Sequence, residues 1–123
     1  MKRSGLADMT VDELVRRFEV ITLAQDEATR DDDNERYARL FRQMEEVKQE
    51  LKRRAGDQRR ALMSFYDHPN VQVRLKAAKA TLAVAPVEAR RLIQAIADSH
   101  EFPQAGEAGM TLVNLDRGIF KPT

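Results

Sequence analysis

The chain contains no cysteine. Disulfides, thiolate nucleophiles and thiolate metal sites are therefore excluded, and the lack suits a reducing compartment. Histidine is scarce: His68 and His100 are the only two, and they stand on separate turns. A structural zinc site draws on several His and Cys side chains, so none is expected. No window approaches the roughly 18 apolar residues that a membrane helix needs. The opening MKRSGLADMT is basic but has no apolar run behind it, so no secretory signal is expected. An excess of one charge sign is missing too. Lys and Arg number 21 against 20 Asp and Glu, a net charge of +1. Nothing in that balance calls for nucleic acid or an acidic membrane as partner, and the cytoplasm is the expected location.

What is present is a length of 123 residues, 42% hydrophobic and 33% charged. That suits one soluble, helix-rich domain able to bury roughly two thirds of its unfolded surface. Thr10-Val11-Asp12-Glu13 reads as a capping box, and Val11, Leu14, Val15, Phe18 and Ile21 follow at helical spacing. The spacing predicts a first helix over about 11–28. Asp31-Asp32-Asp33 reads as a capped helix start, since a calcium loop would need Gly and Glu where Arg36 and Arg42 stand. Tyr37, Leu40, Phe41, Met44, Val47 and Leu51 give a second helix over about 35–54, broken at Gly56. The two helices are expected to form a hairpin over 11–55, their stripes buried against each other. Asp57 can cap a short third helix carrying Leu62, Met63, Phe65 and Tyr66, which ends at Asp67-His68-Pro69-Asn70.

The stretch from 71 to 85 is different. At 100° per residue, Val71, Leu75, Ala78, Leu82 and Ala85 cluster on one side, and Val73, Ala77, Ala80 and Val84 cluster nearly opposite. A surface helix carries one apolar stripe, so a helix with two must be packed on both. Gln72, Lys76 and Lys79 form a polar strip between the stripes; Arg74 and Thr81 form a narrower one, with Arg74 expected to brace the turn. Pro86 opens a fifth helix over about 86–98 with Leu92, Ile93 and Ile96. Pro103 starts a sixth, in which Gly106 and Gly109 are expected to permit tight packing or to loosen the helix, with Ala108 beside Gly109 favouring packing. Gly118 caps it, with Ile119 or Phe120 folding back.

Leu62 and Leu92 lie 30 apart, and Pro69 and Pro103 lie 34 apart, so 57–118 reads as two helical hairpins of one repeat. His68-Pro69-Asn70 followed by Val73-Arg74, Ala77-Ala78 and Leu82 resembles the second half of a HEAT repeat. His68 stands where Asp is common in that pattern, which weakens any Asp–Arg ladder. The whole chain, with its SFYDHPNVQVRLKAA block, also resembles a bacterial family known as a domain of unknown function, number two thousand and nineteen. That resemblance implies an all-α, armadillo-like alpha-alpha superhelix of about six helices, in one domain over 1–123. It implies no activity.

The expected function is accordingly non-catalytic protein binding, with no cofactor and no catalytic or metal-binding residue. Gln72, Lys76 and Lys79, with Arg90 and Arg91 on the next helix, are the exposed candidates for the contact surface. The partner is an unspecified protein, a second copy of the chain included. An alternative assigns weak nucleic-acid binding to Lys48, Lys52, Arg53, Arg54, Arg59 and Arg60, which carry six positive charges against Glu50 and Asp57. The plainer reading of that run is a solvated helix face with partners such as Glu50–Arg54. Antagonism of a toxin is a further alternative, and catalysis would require a pocket of converging carboxylates with shifted pKa values. Ser99-His100-Glu101 reads as a solvated loop rather than a triad.

Overall fold

The computed structural model describes residues 3–123, with side chains from Gly5 onward; Met1 and Lys2, in the basic start discussed above, lie outside. Every regular element among the described residues is helical. The α-helices are α1 (Val11–Arg30), α2 (Asn34–Arg53), α3 (Val71–Ala80), α4 (Pro86–Ala97) and α5 (Gln104–Asp116). A 3-10 turn covers Arg3–Leu6 and a 3-10 helix covers Gln58–Phe65. The chain forms two compact units, Met1–Ala61 and Leu62–Thr123.

The first unit is the hairpin of α1 and α2. The capping box forms as read: the Thr10 N–H donates to Glu13 Oε1 at 2.8 Å and the Glu13 N–H to Thr10 Oγ1 at 3.1 Å. Leu14, Phe18, Ile21 and Ala28 of α1 are buried, as are Met44, Val47 and Leu51 of α2. Phe41 is not, being 41% exposed. On the helical wheel it sits about 90° from the centre of the Met44–Val47–Leu51 stripe, at the rim of the face rather than in it.

The three aspartates join the helices with no spare residue. The Asp33 N–H donates to the Ala28 carbonyl at 2.8 Å and the Asp32 N–H to Thr29 at 3.2 Å, the paired bonds that close a helix in the Schellman manner. The Asp33 side chain then accepts from the Arg36 N–H at 3.1 Å and opens α2. This geometry puts Asp32 at φ +56°, in the left-handed region that glycine enters freely and an aspartate enters at a cost.

The second unit has one core. Leu75, Ala78 and Leu82 meet Ala89, Ile93 and Ile96 of α4 and Ala108 and Leu112 of α5, with Tyr66, Val71, Leu115 and Phe120 packed around them. Asn70 caps α3, its Oδ1 accepting from the N–H groups of Gln72 (2.8 Å) and Val73 (3.2 Å). Both stripes of α3 are buried: Leu75 and Ala78 on one side, Val73 and Ala77 on the other, each 0% exposed. The helix is shorter than the 71–85 expected, because it stops at Ala80. Pro86 disfavours helical geometry at Ala85, which takes φ −144° and ψ 64°, so the chain must leave the helix first. Thr81 makes the exit. Its hydroxyl lies 2.6 Å from the Tyr66 hydroxyl and bonds back to the Ala77 carbonyl at 2.9 Å. Pro86 occupies the first turn of α4 as expected.

At the C-terminus, Gly118 (φ +70°) closes α5, with the Ile119 N–H on the Asn114 carbonyl at 2.9 Å and the Gly118 N–H on Leu115 at 3.2 Å. Phe120 is the residue that folds back onto the core, while Ile119 stays 67% exposed. Gly106 and Gly109 do not serve tight packing within the chain. A side-chain carbon at Gly109 would meet nothing within 4 Å, and one at Gly106 would make only ordinary contact with Phe102.

The left-handed aspartate generates a prediction. Replacing Asp32 with Gly removes the backbone strain and a carboxylate beside the negative end of α1, against a larger chain entropy when unfolded. Asp32→Gly should raise the unfolding free energy by up to about 1 kcal/mol, read from urea denaturation. A loss of stability would show that the Asp32 side chain holds the turn.

Candidate functional site

Of the five residues expected to line a contact surface, the structure brings three into one cluster and turns two of those inward. Gln72 is 2% exposed and Lys76 5%, so the expectation that they lie free on the surface is corrected. Residues one turn apart share a face of a helix, and this face of α3 is covered by α5. Gln104 Nε2 donates to Gln72 Oε1 at 2.9 Å, two buried amides satisfying one another. One turn on, Lys76 Nζ donates to Glu107 Oε2 at 2.6 Å and Lys79 Nζ to the same oxygen at 3.0 Å. The Thr111 hydroxyl donates to the Glu107 carbonyl at 2.8 Å. Burial alone would raise the Glu107 carboxyl, but the charges and hydrogen bonds of Lys76 and Lys79 outweigh it and hold the pKa below its ordinary value. The strip is thus a zipper between two helices, with the Glu107 carboxylate ionised at neutral pH.

Arg74 braces the turn as expected. One guanidinium nitrogen donates to the His68 carbonyl at 2.7 Å and another to Glu101 at 3.0 Å. The bond goes to the His68 backbone and not to its side chain. His68 itself accepts from the Asn70 N–H at 3.0 Å through Nδ1 and meets Phe65 edge to face. Ser99, His100 and Glu101 are all exposed. The Ser99 hydroxyl donates to the Ile96 carbonyl, so the three form a loop and no relay.

Arg90 and Arg91 lie on the exposed side of α4, where Arg90 donates to Asp116 of α5 at 2.8 Å. On the wheel Arg90, Gln94, Val87, Asp98 and Arg91 occupy one arc of about 100°.

The basic run disperses into ion pairs. Lys48 pairs with Glu45 (3.0 Å), and Arg53 and Arg54 pair with Glu50 (3.0 and 2.7 Å). Arg59, buried at 5% exposure, is held on both oxygens of Asp57. Arg54 also donates to the carbonyls of Leu6 (3.0 Å) and Met9 (2.7 Å), tying the N-terminal segment to the end of α2. Four of the six cations therefore serve the unit that carries them. A shallow cleft of this unit is lined by Leu6, Met9, Arg17, Glu45, Glu46 and Glu50. The Glu50 carboxyl there is held below its ordinary pKa. The Arg54 hydrogen bond, against the opposing effect of burial and with help from Arg53, lowers it. A carboxylate held ionised by two guanidinium groups is a poor proton donor near neutral pH. Among the described residues no group of three or more His, Cys, Asp or Glu side chains could hold a metal ion, and no helix is long and apolar enough to cross a membrane.

Glu101, Gln104, Glu107 and Asp116 are the functional partners that sequence reasoning missed. Each lies 26–32 residues from the side chain it engages, and no local spacing reports a contact between α3 or α4 and α5.

These features define an all-helical protein whose polar side chains mainly lock helices together. The chain belongs to the family described as Domain of unknown function (DUF2019), whose model matches residues 12–116. It is similar to the protein RPA1889 from Rhodopseudomonas palustris CGA009, known from a crystal structure. The two are 52% identical with a TM-score of 0.94, over 98% of this chain and 100% of that one. No curated protein matches.

The zipper sets a pH dependence. The unfolded Glu107 carboxyl titrates near its ordinary value, 4.5, and the folded one lower. Between the two the unfolded chain binds more protons, so this contribution is present above about pH 5 and is lost as pH falls through the folded pKa. Glu107→Gln should cost about 1–3 kcal/mol at pH 7, because the buried Lys76 ammonium loses its carboxylate. It should also flatten the acid limb of stability against pH. Lys79→Met, at a half-exposed position, should cost under about 1 kcal/mol. Equal costs for both, with an unchanged acid limb, would contradict the zipper.

Proposed function

We propose that the protein is a non-catalytic protein-binding module whose second unit is built as a HEAT-like helical repeat. The observation that carries this reading is the exposed arc of α4: Val87, 64% exposed, stands beside Arg90, Arg91 and Gln94 on a helix fastened to α5 by the Arg90–Asp116 pair. A rigid helix offering an apolar side chain flanked by arginines suits a partner segment with apolar and acidic residues. The proline turn, the Asn70 cap and the Arg74 brace support the HEAT-like description. Gln72 and Lys76 leave the proposed contact surface because they are buried, and Lys79 stays at its edge, shared with Glu107. Arg91 and Val87 replace them at its centre.

Nucleic-acid binding through Lys48 to Arg60 is the weaker alternative, since most of those cations already have carboxylate partners. Affinity purification from the source cell tests the preferred reading. A protein retained by the wild type should be lost, by tenfold or more, with Val87→Asp/Arg91→Glu at unchanged melting temperature. Retention of the same protein by that variant, or capture of duplex DNA at moderate salt by the wild type, would overturn it.

A further inference from the structure

We infer that the outer face of α5 is a self-association surface, on which a second copy of this chain docks antiparallel about a twofold axis at Met110. The inference is independent of the α4 surface proposed above. Three apolar side chains stand on this face or at its entrance: Phe102 at 68% exposure, Met110 at 58% and Val113 at 42%. On the wheel Gly106, Met110, Val113 and Arg117 fall within about 60° of one another, so they form a single stripe along the helix. That is a large apolar fraction for the exposed side of a 13-residue helix.

The charges select the occupant. The two ends of the stripe carry opposite signs: Glu101 precedes the helix, and Arg117 and Lys121 follow it. Glu101 spends one oxygen on Arg74 and its side chain remains 52% exposed. Arg117 and Lys121 have no ion pair or side-chain hydrogen bond among the described residues. Glu107 is taken by Lys76 and Lys79, while Asp116, paired with Arg90 and still 63% exposed, leaves the end that carries Arg117 and Lys121 net positive. A second copy laid antiparallel places each Arg117, about 10.5 Å along the helix direction from the axis, opposite the other's Pro103, next to its Phe102 and Glu101. A parallel copy would oppose like charges. Antiparallel α5 helices also oppose their dipoles favourably. Met110 meets its own counterpart at the axis, as a twofold contact requires, and the Phe102 ring, which lies beside Gly106, faces the partner's Val113. The apolar area is on the order of 300 Å² per copy, below the roughly 800 Å² per partner of a stable complex. The dimer is therefore weak and concentration-dependent.

Because the chain has no cysteine, a single Met110→Cys substitution probes the axis directly. Under mild oxidation at about 100 µM, most of that variant should become a disulfide-linked dimer. An exposed control, Gln43→Cys on α2, should link at least tenfold more slowly. Adding Arg117→Glu to Met110→Cys should slow linkage several-fold, with a far-ultraviolet spectrum unchanged. In sedimentation of the otherwise native chain, the dimer fraction should rise between about 10 µM and 1 mM and disappear with Met110→Glu. A wild type monomeric throughout, linkage no faster at position 110 than at 43, or a dimer indifferent to Met110→Glu would overturn the inference. Met110→Cys linkage unaffected by Arg117→Glu would overturn the antiparallel, charge-matched arrangement.

Discussion

One carboxylate lets α3 be buried. A ten-residue helix with apolar residues on two sides has little room for its polar ones, and Lys76 is covered along with the alanines beside it. An ammonium taken from water without a partner is costly enough to reverse the gain from several buried methyl groups. Glu107 removes that cost by receiving Lys76 and Lys79 on one oxygen, and Gln104 does the same for Gln72. With the polar strip satisfied from α5, Val73, Leu75, Ala77 and Ala78 can all leave water together.

Much of the fold was legible because its signals are local. The Thr10–Glu13 capping box, the Asp33 and Asn70 caps, the helix-opening Pro86 and the left-handed Gly118 each act within a few residues of their position, so their meaning survives without the tertiary structure. The two-sided pattern of 71–85 was likewise readable as burial, and both stripes are buried except at Val71 and Val84, which are partly exposed. What could not be read is which neighbour answers a polar strip. Gln72, Lys76 and Lys79 look the same in sequence whether they face solvent or a carboxylate 28–32 residues away. The helix end at Ala80 was hidden for a related reason. Leu82, Val84 and Ala85 continue the periodicity after the backbone has left the helix, because a turn can still direct apolar side chains inward.

The same division explains the basic segment. Counted along the chain, Lys48 to Arg60 is a cationic patch. In space it is a set of i,i+3 and i,i+4 pairs, an Arg59–Asp57 fork and a clamp from Arg54 onto the backbone of Leu6 and Met9. Charges spent on holding a chain together contribute little to a ligand. The groups left over on α4 and α5, among them Val87, Arg91, Met110 and Arg117, are the ones to which binding and self-association are assigned above.

Hydrogen exchange of individual backbone amides under native conditions tests the burial of α3 most directly. The amides from Leu75 to Ala80 should exchange only through global unfolding, with the highest protection in the second unit and well above that of the exposed side of α4. Protection of Ala77 and Ala78 no greater than that of Arg91 and Gln94 would mean that α3 opens on its own, and the account of a helix enclosed on both flanks would be wrong.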